Sequence, residues 1–161
     1  MNGDTLPSPL DLSTEKNIGN CIYNIRGLQV MLDSDVATFF DVEVKRLNEQ
    51  MKRNIDRFPE DFCFQLNDDE WRLVLRSQNA TSNSVSSKRR YNPYVYTEQG
   101  IMALSGVIKN EFAIRMSIKI VRVFISMRKF ILENGDTLLE LAKLQNRQIN
   151  FEMETNKKYV S

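Results

Sequence analysis

From Cys21 to Leu32, apolar and polar positions alternate on either side of Arg26-Gly27. This predicts a β-hairpin with strands over Ile22–Ile25 and Leu28–Leu32. The period then lengthens. Asp33 stands where it would cap a short helix from Ser34 to Phe40, Ala37 is small where two helices must approach, and Asp41 follows at a turn position that tolerates a left-handed backbone. A second helix is predicted from about Glu43 to Ile55, with Val44, Leu47, Met51 and Ile55 at the spacing of an inward face. Lys45, Arg46, Asn48, Glu49, Lys52 and Arg53 are left on or near its outer face. The pair reads as a helix-turn-helix whose second helix carries bases outward; an ordinary solvated helix pair is the alternative.

Further along, Pro59 closes the helix pair, and Phe62, Phe64 and Leu66 alternate with polar or small residues as in a half-buried strand. Asn67 and Glu70 have the spacing of a capping box, so a short helix is expected over Asp68–Leu75 with Trp71 inward. Ser77 to Ser87 is polar and low in complexity, the composition of a surface loop, and it runs into Lys88-Arg89-Arg90. Tyr91 to Tyr96 reads as a short aromatic strand, and Pro93 inside it predicts a place at the sheet edge. Thr97 would cap a helix from Glu98 to about Val107, with Gly100 allowing close packing on a strand. Lys109 to Leu132 is the longest helical signal and is apolar around most of its circumference. Gly135 is expected to end it, before a weaker helix from Asp136 to Thr155 whose apolar spacing is only partly that of a coiled coil. The predicted fold class is α+β: a small sheet of short strands, a helix-turn-helix-like pair and a long C-terminal helix. The predicted division is a loose leader over 1–18, one domain over 19–132 and a helical extension over 133–161.

Net charge is only +1 over 161 residues, so overall charge gives no sign of an anionic partner, but its distribution does. Arg72, Arg76, Lys88, Arg89 and Arg90 carry +5 over a stretch with no acid, and Lys109 to Lys129 carries another +5. Cys21 and Cys63 lie in or beside apolar strands with no histidine in the chain, which predicts reduced thiols in a cytoplasmic protein and no metal site. No apolar run approaches the ~18 residues of a membrane span. Without histidine, a Gly-rich phosphate loop or a nucleophile beside a base, the residues offer no catalytic set, and neither an enzyme, a cofactor nor a small-molecule substrate is expected.

Several separated motifs occur in one order: Lys45-Arg-Leu-Asn-Glu-Gln-Met-Lys-Arg-Asn54, Arg57-Phe-Pro-Glu-Asp-Phe62, Phe64-Gln-Leu66, Leu75-Arg-Ser-Gln-Asn79, Tyr91-Asn-Pro-Tyr94 and Thr97-Glu-Gln-Gly100. In these the chain resembles the ORF6N domain of phage and bacterial proteins, a family related to the KilA-N domains, over about Ile22 to Phe130. The resemblance implies a small α+β DNA-binding module of phage, prophage or other mobile-element regulators and antirepressor-like proteins. It brings no contact residues with it, so these are assigned from the helix reading and from charge.

The leading expectation is recognition of double-stranded DNA by a transcriptional regulator or antirepressor-like factor. Arg46, Asn48 and Glu49 are the candidates for base edges, since Arg pairs with guanine, Asn with adenine, and Glu accepts from cytosine. Lys45, Lys52, Arg53, Arg76, Ser77, Gln78, Lys88, Arg89 and Arg90 are the candidates for phosphate. The alternative is a protein-interaction module built on the long apolar helix, with Phe112, Met116, Ile120, Phe124, Met127 and Ile131 as the interface of a homodimer. The two are compatible, because DNA readers often dimerise to span two half-sites.

Overall fold

The computed structural model describes residues 17–78 and 91–160, with side chains to residue 144. It is an α+β fold in which a four-stranded antiparallel sheet is covered by helices on both faces. The predicted hairpin forms β1 (Ile22–Ile25) and β2 (Leu28–Leu32), paired Tyr23 to Val30. Arg26 and Gly27 at its tip both have positive φ, 55° and 72°. Two further strands complete the sheet, β3 (Cys63–Gln65) and β4 (Tyr94–Tyr96), in the order β1-β2-β4-β3. β4 is therefore interior, not at the edge as Pro93 had predicted. The proline stands just before the strand, and its carbonyl accepts from the Leu66 amide at 3.0 Å, so its missing N–H leaves no gap in the ladder.

Strand residues alternate between two cores, as the pleat requires. Met31, Cys63 and Tyr96 point to one face, Val30, Leu32, Phe64 and Val95 to the other. On the first face lie α1 (Asp33–Phe40), α2 (Val44–Arg53), α4 (Glu98–Ile108) and the start of α5 (Glu111–Val160), contributing Val36, Phe40, Leu47, Met51, Leu104 and Ile120. On the second lies α3 (Asp68–Gln78), with Trp71 and Val74 buried. Ile18, assigned by sequence to the leader, is fully buried in the first core within a helical turn at residues 17–20.

The local chemistry explains most boundaries. Asp41 ends α1 with φ 57° and ψ 46°, its amide bonded back to the Thr38 carbonyl. α2 stops at Arg53 and gives way to a 3-10 turn at Ile55–Arg57, which leaves Ile55 exposed and not on the inward face predicted for it. Asn67 and Glu70 form the reciprocal capping box, each side chain accepting from the other's backbone amide at 2.8–2.9 Å. Thr97 caps α4 through the Gly100 amide, and a Cβ at Gly100 would collide with the Phe62 carbonyl oxygen.

The chain divides into two units, Met1–Phe124 and Ile125–Ser161. In the first, α5 buries Ala113, Met116, Ile120 and Phe124 in the domain core. Met116, Ile120 and Phe124 are thus withdrawn from the predicted homodimer interface; the core needs an inward stripe, and theirs is that stripe. Phe112, Ile114 and Ile118 remain 42–45% exposed. The second unit is helical to Val160, with Met127 half-buried and Ile125, Phe130, Ile131, Leu132, Leu139, Leu141 and Leu144 exposed. The helix breaks at Asn134 (φ −122°, ψ 19°), one residue before the stop expected at Gly135, and a second helical stretch follows as the sequence predicted.

Candidate nucleic-acid interface

α2 is set on the domain by two kinds of contact. Leu47 and Met51 enter the core. Beside them Asn48 joins a buried polar cluster centred on Asp33, which is only 1% exposed. The Asn48 amide donates to Asp33 Oδ2 at 2.8 Å, the Tyr94 backbone amide donates to the same oxygen at 3.2 Å, and the Ser34 amide donates to Oδ1 at 2.7 Å. The Tyr96 hydroxyl completes the cluster, donating to Asn48 Oδ1 at 2.9 Å. Burial, and next the nearby Cys63, push the Tyr96 phenol well above its usual range, so it stays protonated and able to donate. Burial likewise pushes the Cys63 thiol up to about 12. Asp33 is therefore a brace between α1, α2 and β4 and not the helix cap expected of it: the helix already begins at Asp33, Leu32 stands at its N-cap, and no side chain caps it. Asn48, expected to read bases, is consumed inside the fold: one end of its side-chain amide serves Asp33, the other Tyr96.

What α2 presents to solvent is narrower than expected but more uniform. Lys45, Arg46, Glu49, Lys52 and Arg53 are all exposed. With ~100° between successive residues, Arg46, Glu49 and Arg53 fall on the line opposite Leu47 and Met51, while Lys45 and Lys52 flank it on the Asn48 side. Among the described residues, none of the four bases forms an ion pair. Lys52 instead lies 5.4 Å over the Tyr94 ring.

The Lys45–Lys52 flank borders a groove of about 650 Å³. Its other wall comes from β3 and the approach to β4, with Gln65, Tyr91, Asn92 and Tyr94; Asp33 and Asn48 line it between the walls. Sequence reading missed this groove, because its walls come from three separate segments, α2, β3 and the approach to β4, and the sheet register (Gln65 opposite Tyr94) joins the last two into one wall.

The other predicted phosphate contacts do not join this surface. Arg76 is exposed, but it ends α3, which packs on the sheet face opposite α2. Ser77 donates its hydroxyl back to the Val74 carbonyl at 2.8 Å, and Gln78 donates to the Tyr23 hydroxyl at 3.0 Å, so both side chains serve the fold. Lys88, Arg89 and Arg90 lie outside the described residues. Among the described residues no group of three Asp, Glu or Cys side chains is placed to hold a metal ion, and no helix is long and apolar enough to cross a membrane.

A short α1-turn-α2 pair braced on a small antiparallel sheet, with an exposed basic second helix, defines a small α+β domain. The ORF6N domain family matches residues 20–107, more than half of the chain's 161 residues, and the chain belongs to that family. No curated protein and no solved structure matches it.

Proposed function

We propose that the domain binds double-stranded DNA through α2, in the manner of a phage or mobile-element transcriptional regulator or antirepressor-like factor acting in the cytoplasm, with no catalytic step, cofactor or small-molecule substrate. The observation that carries this reading is a braced helix whose Lys45, Arg46, Lys52 and Arg53 are exposed and unpaired among the described residues. Exposed bases also keep an ordinary surface helix solvated, but a major groove admits a helix and rewards four such side chains on one face. Arg46, Glu49 and Arg53, on the outermost line, are placed for base edges, with Lys45 and Lys52 for the flanking phosphates.

Selection of bound sites from a random duplex pool tests this, followed by titration of the selected duplex. Arg46→Ala is expected to cost about 1–3 kcal/mol against the selected site and to relax its preference at individual base pairs. Lys45→Ala is expected to weaken all duplexes alike and to flatten the salt dependence by about 0.9 slope units. Absence of any enriched duplex sequence, together with unchanged affinity in both variants, rejects the reading.

A second reading concerns self-association. Phe112, Ile114 and Ile118 are exposed on α5 although its opposite stripe is fully packed, and a homodimer through these residues is compatible with DNA binding at paired half-sites.

A further inference from the structure

The groove beside α2 adds tyrosine rings and amide acceptors to the residues that duplex binding uses. Its volume of about 650 Å³ falls within the ~300–1,000 Å³ of sites that enclose a small ligand. Two tyrosines line one wall, and Tyr91 is 70% exposed. Lys45 and Lys52 stand on the other, ~10.5 Å apart along the helix axis. Both walls also carry acceptors. The Glu49 carboxylate receives no donor from any described residue. The amides of Gln65 and Asn92 donate to the Asn92 carbonyl and to Asp68, at 3.0 and 2.7 Å, which leaves their oxygens as the ends still open.

This arrangement sorts possible occupants. A phosphate is attracted to the lysines but repelled by Glu49 and the buried Asp33, so a bare phosphodiester has no reason to enter deeply. An apolar group would strand the open acceptors. A nucleobase satisfies all three parts at once: its face stacks on tyrosine, its N–H groups donate to the acceptors, and its phosphate stays outside on lysine. A paired base keeps both its faces and its Watson–Crick edge inside the duplex.

We propose that the groove takes an unpaired nucleotide of a single strand, with Tyr91 as the stacking platform and Lys45 and Lys52 on its phosphate. The inference rests on the nucleic-acid reading of α2, with which it shares Lys45, Lys52 and Glu49, but the duplex face is led by Arg46 and Arg53 and the groove by Tyr91.

The test is fluorescence anisotropy with a labelled 12-nucleotide single strand and with the duplex of the same sequence. The single strand is expected to bind. Tyr91→Ala is expected to weaken it roughly tenfold, while Tyr91→Phe, which keeps the ring, retains affinity and both variants bind the duplex like the parent protein. Because Tyr91 is exposed, an unchanged melting temperature is expected in each. No affinity for the single strand, or an equal loss for both probes in Tyr91→Ala, overturns the groove assignment while leaving duplex recognition intact. Single-strand binding that depends on Tyr91, with no duplex binding, sustains the groove and removes the duplex reading.

Discussion

Asp33 illustrates how one buried carboxylate organises a surface it never reaches. Three donors from three places in the chain, the Ser34 and Tyr94 amides and the Asn48 side chain, converge on its two oxygens. Asn48→Ala removes one of them and also strands the Tyr96 hydroxyl. It is expected to lower stability by about 1–3 kcal/mol, read as a fall in the urea midpoint, whereas Arg46→Ala leaves that midpoint unchanged. The sequence hid this role for a definable reason. On the helical wheel Asn48 lies between the inward stripe and the outward bases, and its polarity alone assigned it to the outside. Its partners are 15 and 48 residues away, beyond the reach of any local pattern.

At the scale of elements, what the sequence made legible is what neighbouring residues settle among themselves. The hairpin, the αL turn at Asp41, the capping box at Asn67 and the Thr97 cap are each written within a few positions, and all are present. Proline gave the wrong place for β4, because composition does not reveal that the strand begins one residue later. The α3 capping box has an added partner that sequence also left out: Glu70 accepts from Arg26 Nε at 2.8 Å and from its Nη2 at 2.9 Å, tying α3 to the hairpin tip. The hydrogen bond from Arg26, above all, holds the Glu70 carboxyl below its ordinary value of 4.5. A lowered folded value means that this stabilisation is complete above the unfolded value and is lost as pH falls through the folded one. Glu70→Gln is therefore expected to be less stable than the parent at pH 7 and to converge with it in acid, the gap between their urea midpoints closing below about pH 4.5. A gap independent of pH would assign the contribution to capping geometry instead of charge. Because Arg26 is 44% exposed, solvent screening keeps the effect modest.

For the whole molecule, the two stripes of α5 have opposite assignments that a pair of substitutions separates. Ile120 is fully buried and Ile118 is 42% exposed, two positions apart. Ile120→Glu is expected to unfold the domain, since an unpaired buried charge costs several kcal/mol. Ile118→Glu is expected to leave the melting temperature near that of the parent and to abolish the homodimer in sedimentation equilibrium. A parent protein that sediments as a monomer at tens of micromolar, a range in which weak interfaces still show, removes the dimer.

The position of β4 governs when this domain can come into being during synthesis. β2 and β3 follow each other along the chain yet never touch; the strand that joins them is the last to be made. Until Tyr94–Tyr96 arrives, each holds an unsatisfied row of amides and carbonyls, and Asp33 and Asn48 wait for the Tyr94 amide and the Tyr96 hydroxyl. Such non-local closure is slow compared with hairpin formation. A chain cut after Gln78 is therefore expected to show no cooperative melting transition by circular dichroism, although it contains the hairpin, the helix pair and α3. On a ribosome, the N-terminal half would travel as an open template, its sheet edges available to other chains, until the central strand clears the exit tunnel and closes it.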